Sequence, residues 1–233
     1  MEIIKAQHLD ASELMFADVK KTASGGKSVY INTSNGNGLV IQTPFMRTPF
    51  GMKTYDEEST NFSVDLSLDD SEICNSIKEN FGKLDERMIA DGIQNSLEWF
   101  QKKKVEKNVL NELYNKQVRY SYDKTTGEIN DKYAPTIKFK VPFYDGKFTC
   151  KVYDENKELI TDDLRDVIVA GCEIKALLQC GGVWFISGKY GITWRAKQLI
   201  VKRPVGFDNY AFIDSDCDEE NTANDVISDS DSD

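Results

Sequence analysis

The sequence predicts a mainly β fold with one helical insertion, a small mixed barrel or sandwich. Three observations carry this. From about residue 136 to 203, short runs rich in β-branched and aromatic residues recur with turn signals between them. In SVYINTSNGNGLVIQTPFM (28–46) an Asn/Gly cluster separates two such runs, a hairpin signal because Asn and Gly tolerate the positive φ of tight turns. Between about 71 and 117 the apolar spacing is instead that of a helix.

The elements follow in chain order. AQHLDASELMFADVKK (6–21) predicts a short helix on Leu9, Leu14 and Val19, and TASGGK (22–27) reads as linker. After the hairpin, TPFMRTPFG (43–51) places Pro44 and Pro49 where they force extended, irregular backbone at an edge or in a loop. NFSVDLSLDD alternates Phe62, Val64, Leu66 and Leu68 with polar residues, as a half-buried strand does. Asp69, Asp70 and Ser71 are N-cap residues for the helical region, whose stripe is Ile73, Ile77, Phe81, Leu84, Met88, Ile93, Leu97 and Phe100, with interruptions expected at Gly82 and Gly92. Trp99 falls in that stripe and reads as core.

The segment 118–136 is a polar loop or hairpin. In TIKFKVPF, Ile137, Phe139 and Val141 point inward and Lys138 and Lys140 outward; in KFTCKVYDENKELI, Phe148, Cys150 and Val152 oppose Lys147, Lys151 and Tyr153. DVIVAGCEIKALLQC, GVWFIS and GITWRAKQLIVK supply the last strands. In the last of them alternation puts Ile192, Trp194, Ala196 and Gln198 on one face, with Trp194 as core, and Thr193, Arg195, Lys197 and Leu199 on the other. Trp184 and Tyr190 flank the Ser187–Gly188 turn as rim candidates.

A chain of 233 residues suits one main core. Its first twenty residues lack a secretory h-region and no run of eighteen apolar residues occurs, so an intracellular protein with no membrane partner is expected. Five scattered cysteines without CxxC spacing suggest neither a disulfide framework nor a zinc knuckle. One histidine, His8, leaves little for histidine-based catalysis, and no nucleophile–base pair, metal set or cofactor motif emerges, so no enzyme is expected. SGGKS lacks the earlier Gly of a phosphate loop, DSDCDEEN lacks the Gly of a calcium loop, and Asp65, Asp69 and Asp70 read as caps and strand ends.

The formal charge of −10 is unevenly spread. Asp214, Asp216, Asp218, Glu219, Glu220, Asp225, Asp229, Asp231 and Asp233 put nine of the 39 acidic residues into the last twenty positions, leaving 30 against 29 basic residues elsewhere. Residues 172–203 hold six basic residues against Glu173 alone. Aromatics interleaved with cations on strands suit single-stranded nucleic acid, whose bases stack for roughly 1–3 kcal/mol each while Lys and Arg track phosphates. The same pattern also fits the core of a β-domain.

NFSVDLSL (61–68) before a helix, IKFKVPF (137–143), KVYDENKELI (151–160), VIVAGCEIKALL (167–178) and VWFISGKYGITWRAKQLIVK (183–202) occur in the order seen in one family. Together they resemble the single-stranded DNA-binding proteins of T7-type bacteriophages. TPFMRTPFG (43–51) and TGEINDKYAPTIKFKVP (126–142) look like the branch in nucleo-cytoplasmic large DNA viruses. The resemblance implies an OB-fold, a five-stranded Greek-key barrel, over residues 39–205, with the helical insertion at about 71–117. Residues 1–38 would be an N-terminal arm and hairpin strand, and 206–233 a disordered acidic tail.

It further implies sequence-independent single-stranded DNA binding in viral replication, recombination and annealing, in the host nucleus or a cytoplasmic virus factory. The tail would compete for the DNA groove and recruit DNA polymerase and helicase–primase; homodimerisation stays open. The expected DNA contacts are Trp184 and Tyr190 by stacking and Lys138, Lys140, Lys151, Lys189, Arg195 and Lys197 to phosphate, with Arg47 and Lys53 added. Unlike the phage tails, this chain ends in Asp233 rather than an aromatic residue, which weakens the tail-docking expectation. The alternative is a virion or scaffold module that binds proteins and no nucleic acid.

Overall fold

The computed structural model describes residues 2–21, 26–54 and 59–204. The strands used below are β1 (Lys27–Val29), β2 (Val40–Gln42), β3 (Met46–Arg47), β4 (Met52–Lys53), β5 (Phe62–Ser67), β6 (Tyr114–Asn115), β7 (Thr136–Val141), β8 (Lys151–Tyr153), β9 (Glu173–Ile186) and β10 (Lys189–Lys202). The helices are α1 (Glu72–Gln94), α2 (Ser96–Phe100) and α3 (Lys107–Leu113).

One mixed sheet organises the molecule, in the order Ile4–Lys5, β2, β9, β10, β7, β5, β4. Its spine is the long β9–β10 antiparallel hairpin, which turns at Ser187 and Gly188, both at positive φ (50° and 80°). β7 runs parallel to β10 and antiparallel to β5, while β8 and β6 each pair parallel to β10 near its two ends. The sheet is open, which corrects the expectation of a closed five-stranded barrel. At the would-be seam β3 pairs with β9 and β4 with β5. The corner between them bonds elsewhere: the amides of Thr48 and Met52 donate to the carbonyls of Cys172 and Ile168, each at 2.8 Å. Gly51 (φ 66°) makes that turn, and a Cβ there would lie 2.7 Å from the Ile168 carbonyl oxygen.

The two arms flanking the Asn/Gly turn meet only near its tip, through the Asn32–Gly38 bridge. Beyond it β1 and β2 both pair with β9, β1 on its C-terminal half and β2 on its middle. β9 itself is one strand where the sequence suggested two, because Gly181 and Gly182 form a bulge that the ladder passes. A second irregularity between Leu177 and Leu178 reverses the expected alternation at the end of β10. Ile192, Trp194 and Ala196 are buried as expected, but beyond the bulge Leu199 and Val201 are buried and Gln198 is exposed.

α1 begins where expected, with the Ser71 hydroxyl accepting from the Cys74 amide. Cys74, Ile77, Phe81, Leu84 and Met88 are buried on one stripe, with Phe81 against Trp194 at a 5.7 Å centroid separation. Ile73, Ile93 and Leu97 of the expected stripe are exposed. Gly82 and Gly92 do not interrupt the helix; the breaks come at Asn95 and at Gln101, which is left-handed (φ 57°). Gly92 serves packing instead, since a Cβ there would stand 3.2 Å from Leu110 of α3. Residues 6–13 form two 3₁₀ turns rather than a helix, with Ala6, Leu9, Ala11 and Leu14 buried and Asn80 of α1 donating to the Gln7 carbonyl at 2.8 Å.

Beneath the sheet, Trp194 Nε1 donates to Gln117 Oε1 at 2.9 Å. The Gln117 amide and the Tyr114 hydroxyl in turn donate to Asp85 of α1. Burial pushes the Asp85 carboxyl up to about 6, against those hydrogen bonds and nearby Lys116, which favour its charged form. The folded state therefore holds this proton more tightly than the unfolded chain does. The stability it contributes is complete below about pH 4 and is lost as pH rises through 6. Asp85→Asn, whose oxygen still accepts, is expected to remove on the order of 2 kcal/mol of the fall in stability between pH 4.5 and 7.5. Urea unfolding of both proteins at the two pH values measures it; parallel pH profiles would contradict it.

The four described cysteines, Cys74, Cys150, Cys172 and Cys180, are buried and unpaired, and burial pushes the Cys180 thiol up to about 12. No helix among the described residues is long and apolar enough to cross a membrane. Residues 206–233, and the tail expectations made of them, lie outside the described residues.

Candidate nucleic-acid interface

Strand alternation gives the sheet a second face, opposite the helices. On β7, Ile137, Phe139 and Val141 are buried, while Lys138 and Lys140 point away from them. Register then aligns residues from five strands: Lys53 pairs with Ser63, Ser63 with Lys140, Lys140 with Arg195, and Arg195 with Gln179. With strands about 4.8 Å apart, this row crosses on the order of 19 Å of sheet and carries three cations. Lys138 stands one same-face step from it on β7, and Arg119, across from Thr136, one step beyond Lys138. Lys197, exposed at the bulge after Arg195, extends it along β10, and Lys151 stands opposite the neighbouring Gln198.

One acid lies within this group. Asp65, buried opposite Lys138, accepts from Lys53 Nζ at 2.9 Å, and its other oxygen has no partner among the described residues. Burial, then Arg119, holds the Lys138 ammonium below its ordinary value despite Asp65. Among the described residues no carboxylate lies within ion-pair distance of Lys138, Lys140, Arg195 or Lys197. Lys53 Nζ also stands 3.5 Å from the centroid of exposed Phe50.

At the Arg195 end the row opens into a groove of about 440 Å³ lined by Ser28, Tyr30, Gln179, Trp184, Thr193 and Arg195, among others. Gly181 and Gly182 are among its lining residues, and a Cβ on Gly181 would meet the Thr193 carbonyl at 3.2 Å and Arg195 Nε at 3.3 Å. Across from Trp184, Gly191 leaves room for the indole, since a Cβ there would meet the ring at 3.0 Å. Trp184 is partly exposed here, and Tyr30, 46% exposed with Lys20 Nζ 5.1 Å from its ring centroid, stands on the same groove.

The expected site residues therefore divide. Lys53, Lys138, Lys140, Arg195, Lys197 and Trp184 share one face, with Lys151 at its margin. Lys189 is exposed at the hairpin tip, beside an apolar cavity lined by Trp99, Phe100 and Phe185, and Arg47 sits at the far end of β9 opposite Glu173. Tyr190 is a correction. It is 0% exposed, packed against Phe100, Tyr114 and Phe185, and offers no ring face to a ligand. The two-residue turn pairs Ile186 with Lys189, so Trp184 lies across from Gly191 and Tyr190 across from Phe185, on opposite faces. Tyr30, Arg119 and Phe50 join this face beyond the residues expected from the sequence. Alternation in SVYIN, where Val29 and Ile31 are buried, would have put Tyr30 outward.

A search of the curated proteins returns no match. Among solved structures the chain is similar to gp2.5, a single-stranded DNA-binding protein encoded by bacteriophage T7, at 12% identity and a TM-score of 0.45, over 75% of this chain and 98% of that one. It is also similar to the single-stranded DNA-binding protein from bacteriophage Enc34, at 13% identity and 0.46, over 88% and 99%. The same Enc34 protein in complex with single-stranded DNA matches at 11% identity and 0.41, over 81% and 96%. A family model matches residues 63–214, more than half of the 233, and the chain belongs to that family of unknown function (DUF5871).

Proposed function

We propose that the sheet face around Lys140 and Arg195 binds single-stranded DNA without reading its sequence. The observation that carries this is the cross-strand cation row running into the groove of Trp184 and Tyr30. Bases stack on the two rings while successive phosphates meet Arg195, Lys140, Lys138 and Lys53. Lys151 and Lys197 extend the phosphate track, and Lys189 and Arg47 are peripheral contacts. The protein acts by coating and protecting strands rather than by catalysis, in viral DNA replication, recombination and annealing, as the sequence resemblance implies. The nine acids of 214–233 compete with DNA for the cations, and the tail recruits DNA polymerase and helicase–primase.

Tryptophan fluorescence tests the reading. Trp99 and Trp194 are 2% and 3% exposed, so quenching by oligothymidylate should come from Trp184 and vanish in Trp184→Phe. Affinity should fall with salt at a log–log slope of roughly −0.7 per phosphate contacted, and duplex should compete poorly. Salt-independent affinity, or no quenching at saturation, would overturn it. A chain ending at residue 213 should bind more tightly than the full chain; equal affinity removes the competing role of the tail.

A further inference from the structure

We infer that the same sheet face carries a second nucleotide subsite around Tyr153, Lys175 and Ile200, so that one strand of DNA is held at both ends of the β9–β10 hairpin; this rests on the proposed single-strand function. The alternation that turns Gln179 and Gly181 outward on β9 also turns Lys175 and Leu177 outward. Beyond the bulge of β10, Ile200 and Lys202 face the same way. Register sets Tyr153, Ile200 and Lys175 side by side across β8, β10 and β9. Between them opens a cavity of about 320 Å³, whose lining includes Gln42, Tyr153, Lys157, Lys175, Leu177 and Ile200. Next to it Phe45 is 37% exposed, with Lys202 Nζ 4.2 Å and Lys175 Nζ 5.6 Å from its ring centroid.

The chemistry is that of the first groove in different residues. Leu177, Ile200 and Tyr153 offer an apolar floor and an aromatic wall to a base, and Lys157, Lys175 and Lys202 offer cations to its flanking phosphates. Glu173 lies across from Lys202 and from Arg47, and Asp154, Glu155 and Glu158 stand in the turn that carries Lys157, so Lys175 and Lys202 are the cations least offset by nearby carboxylates. Among the described residues no ion pair ties up the three lysines. A simple anion would leave the apolar floor unused, and an apolar peptide would leave three ammonium groups unused; a nucleotide uses both.

Spacing makes the two sites parts of one track. Lys175 and Trp184 are nine residues apart on β9, on the order of 25–30 Å at about 3.3 Å per residue. One nucleotide cannot reach both. A strand within the usual range of roughly 4–16 nucleotides per binding fold can.

The full chain with Lys175→Glu and Lys202→Glu is the test, titrated with fluorescent oligothymidylates of about four and about sixteen nucleotides, the ends of that range. The longer strand should bind about tenfold more weakly, with a salt slope shallower by roughly 1.4 for two lost phosphates. The shorter strand, followed by Trp184 quenching, should bind unchanged. Phe45→Ala, which alters no charge, should also weaken only the longer complex. Equal losses at both lengths, no loss at either, or saturation by thymidine monophosphate as tight as by the long strand would overturn the subsite. If Lys140→Glu with Arg195→Glu leaves the short complex intact, the functional reading itself fails. If that pair abolishes the short complex while Lys175→Glu with Lys202→Glu does nothing, only the second subsite fails.

Discussion

Replacing both Lys140 and Arg195 by glutamate is expected to weaken binding of single-stranded DNA by on the order of 100-fold at about 0.1 M salt, without unfolding the protein. The two residues are direct cross-strand neighbours, both exposed, and among the described residues neither is held by a carboxylate. Losing two phosphate contacts makes the salt slope shallower by roughly 1.4, and two introduced anions add repulsion to the strand. The loss should shrink as salt rises, which separates it from damage to the fold. Because Ile137, Phe139, Val141, Trp194 and Ala196 fill the opposite face, circular dichroism and thermal melting should match the parent. An affinity within threefold of the parent would place the DNA elsewhere.

Gly182→Ala is expected to cost about 3 kcal/mol, a fall of about 10 °C in melting temperature for a domain of this size. Gly182 has φ 85°, which an L-residue adopts only at a cost of about 1–2 kcal/mol. Its added Cβ would stand 2.4 Å from the Val29 carbonyl oxygen, backbone that cannot swing aside like a side chain. Relief requires β1 to move off β9, and Tyr30 follows β1, so DNA affinity should fall as well. Gly36 supplies the contrast: its φ of 73° is similar but nothing lies within 4 Å of its Cβ position, so Gly36→Ala should cost about 1 kcal/mol. Calorimetry of the two variants compares a clash plus strain with strain alone. Equal melting temperatures would mean that β1 yields freely.

Much of the local structure could be read from the chain. Ser71 caps α1 because its side chain reaches the free amide of Cys74, a relation spanning three residues. Lys138 and Lys140 point outward because Ile137, Phe139 and Val141 point inward, a relation of period two. The inward turn of Tyr190 was equally readable, since Ser187–Gly188 leaves Ile186 opposite Lys189 and parity does the rest. Its place beside the turn suggests the rim, but pairing with Phe185 sends its ring inward. Gly82 and Gly92 looked like helix breaks on propensity, yet α1 buries enough of one stripe to run through both.

Local pattern along the chain sets which segments alternate, where α1 starts, which turn joins β9 to β10, and that basic and aromatic residues share strands. Tertiary structure alone decided that Lys53, Lys140 and Arg195 form one row, that β1 and β2 both dock on β9, that the sheet stays open at Thr48–Gly51, and that bulges at Gly181–Gly182 and beside Leu177 reset which side chains face the groove. The reason is range. Side-chain alternation follows from adjacent backbone geometry, whereas the register between strands far apart in sequence is chosen by how the whole core packs, and a one-residue slip of any one strand would turn that strand's cation to the other face.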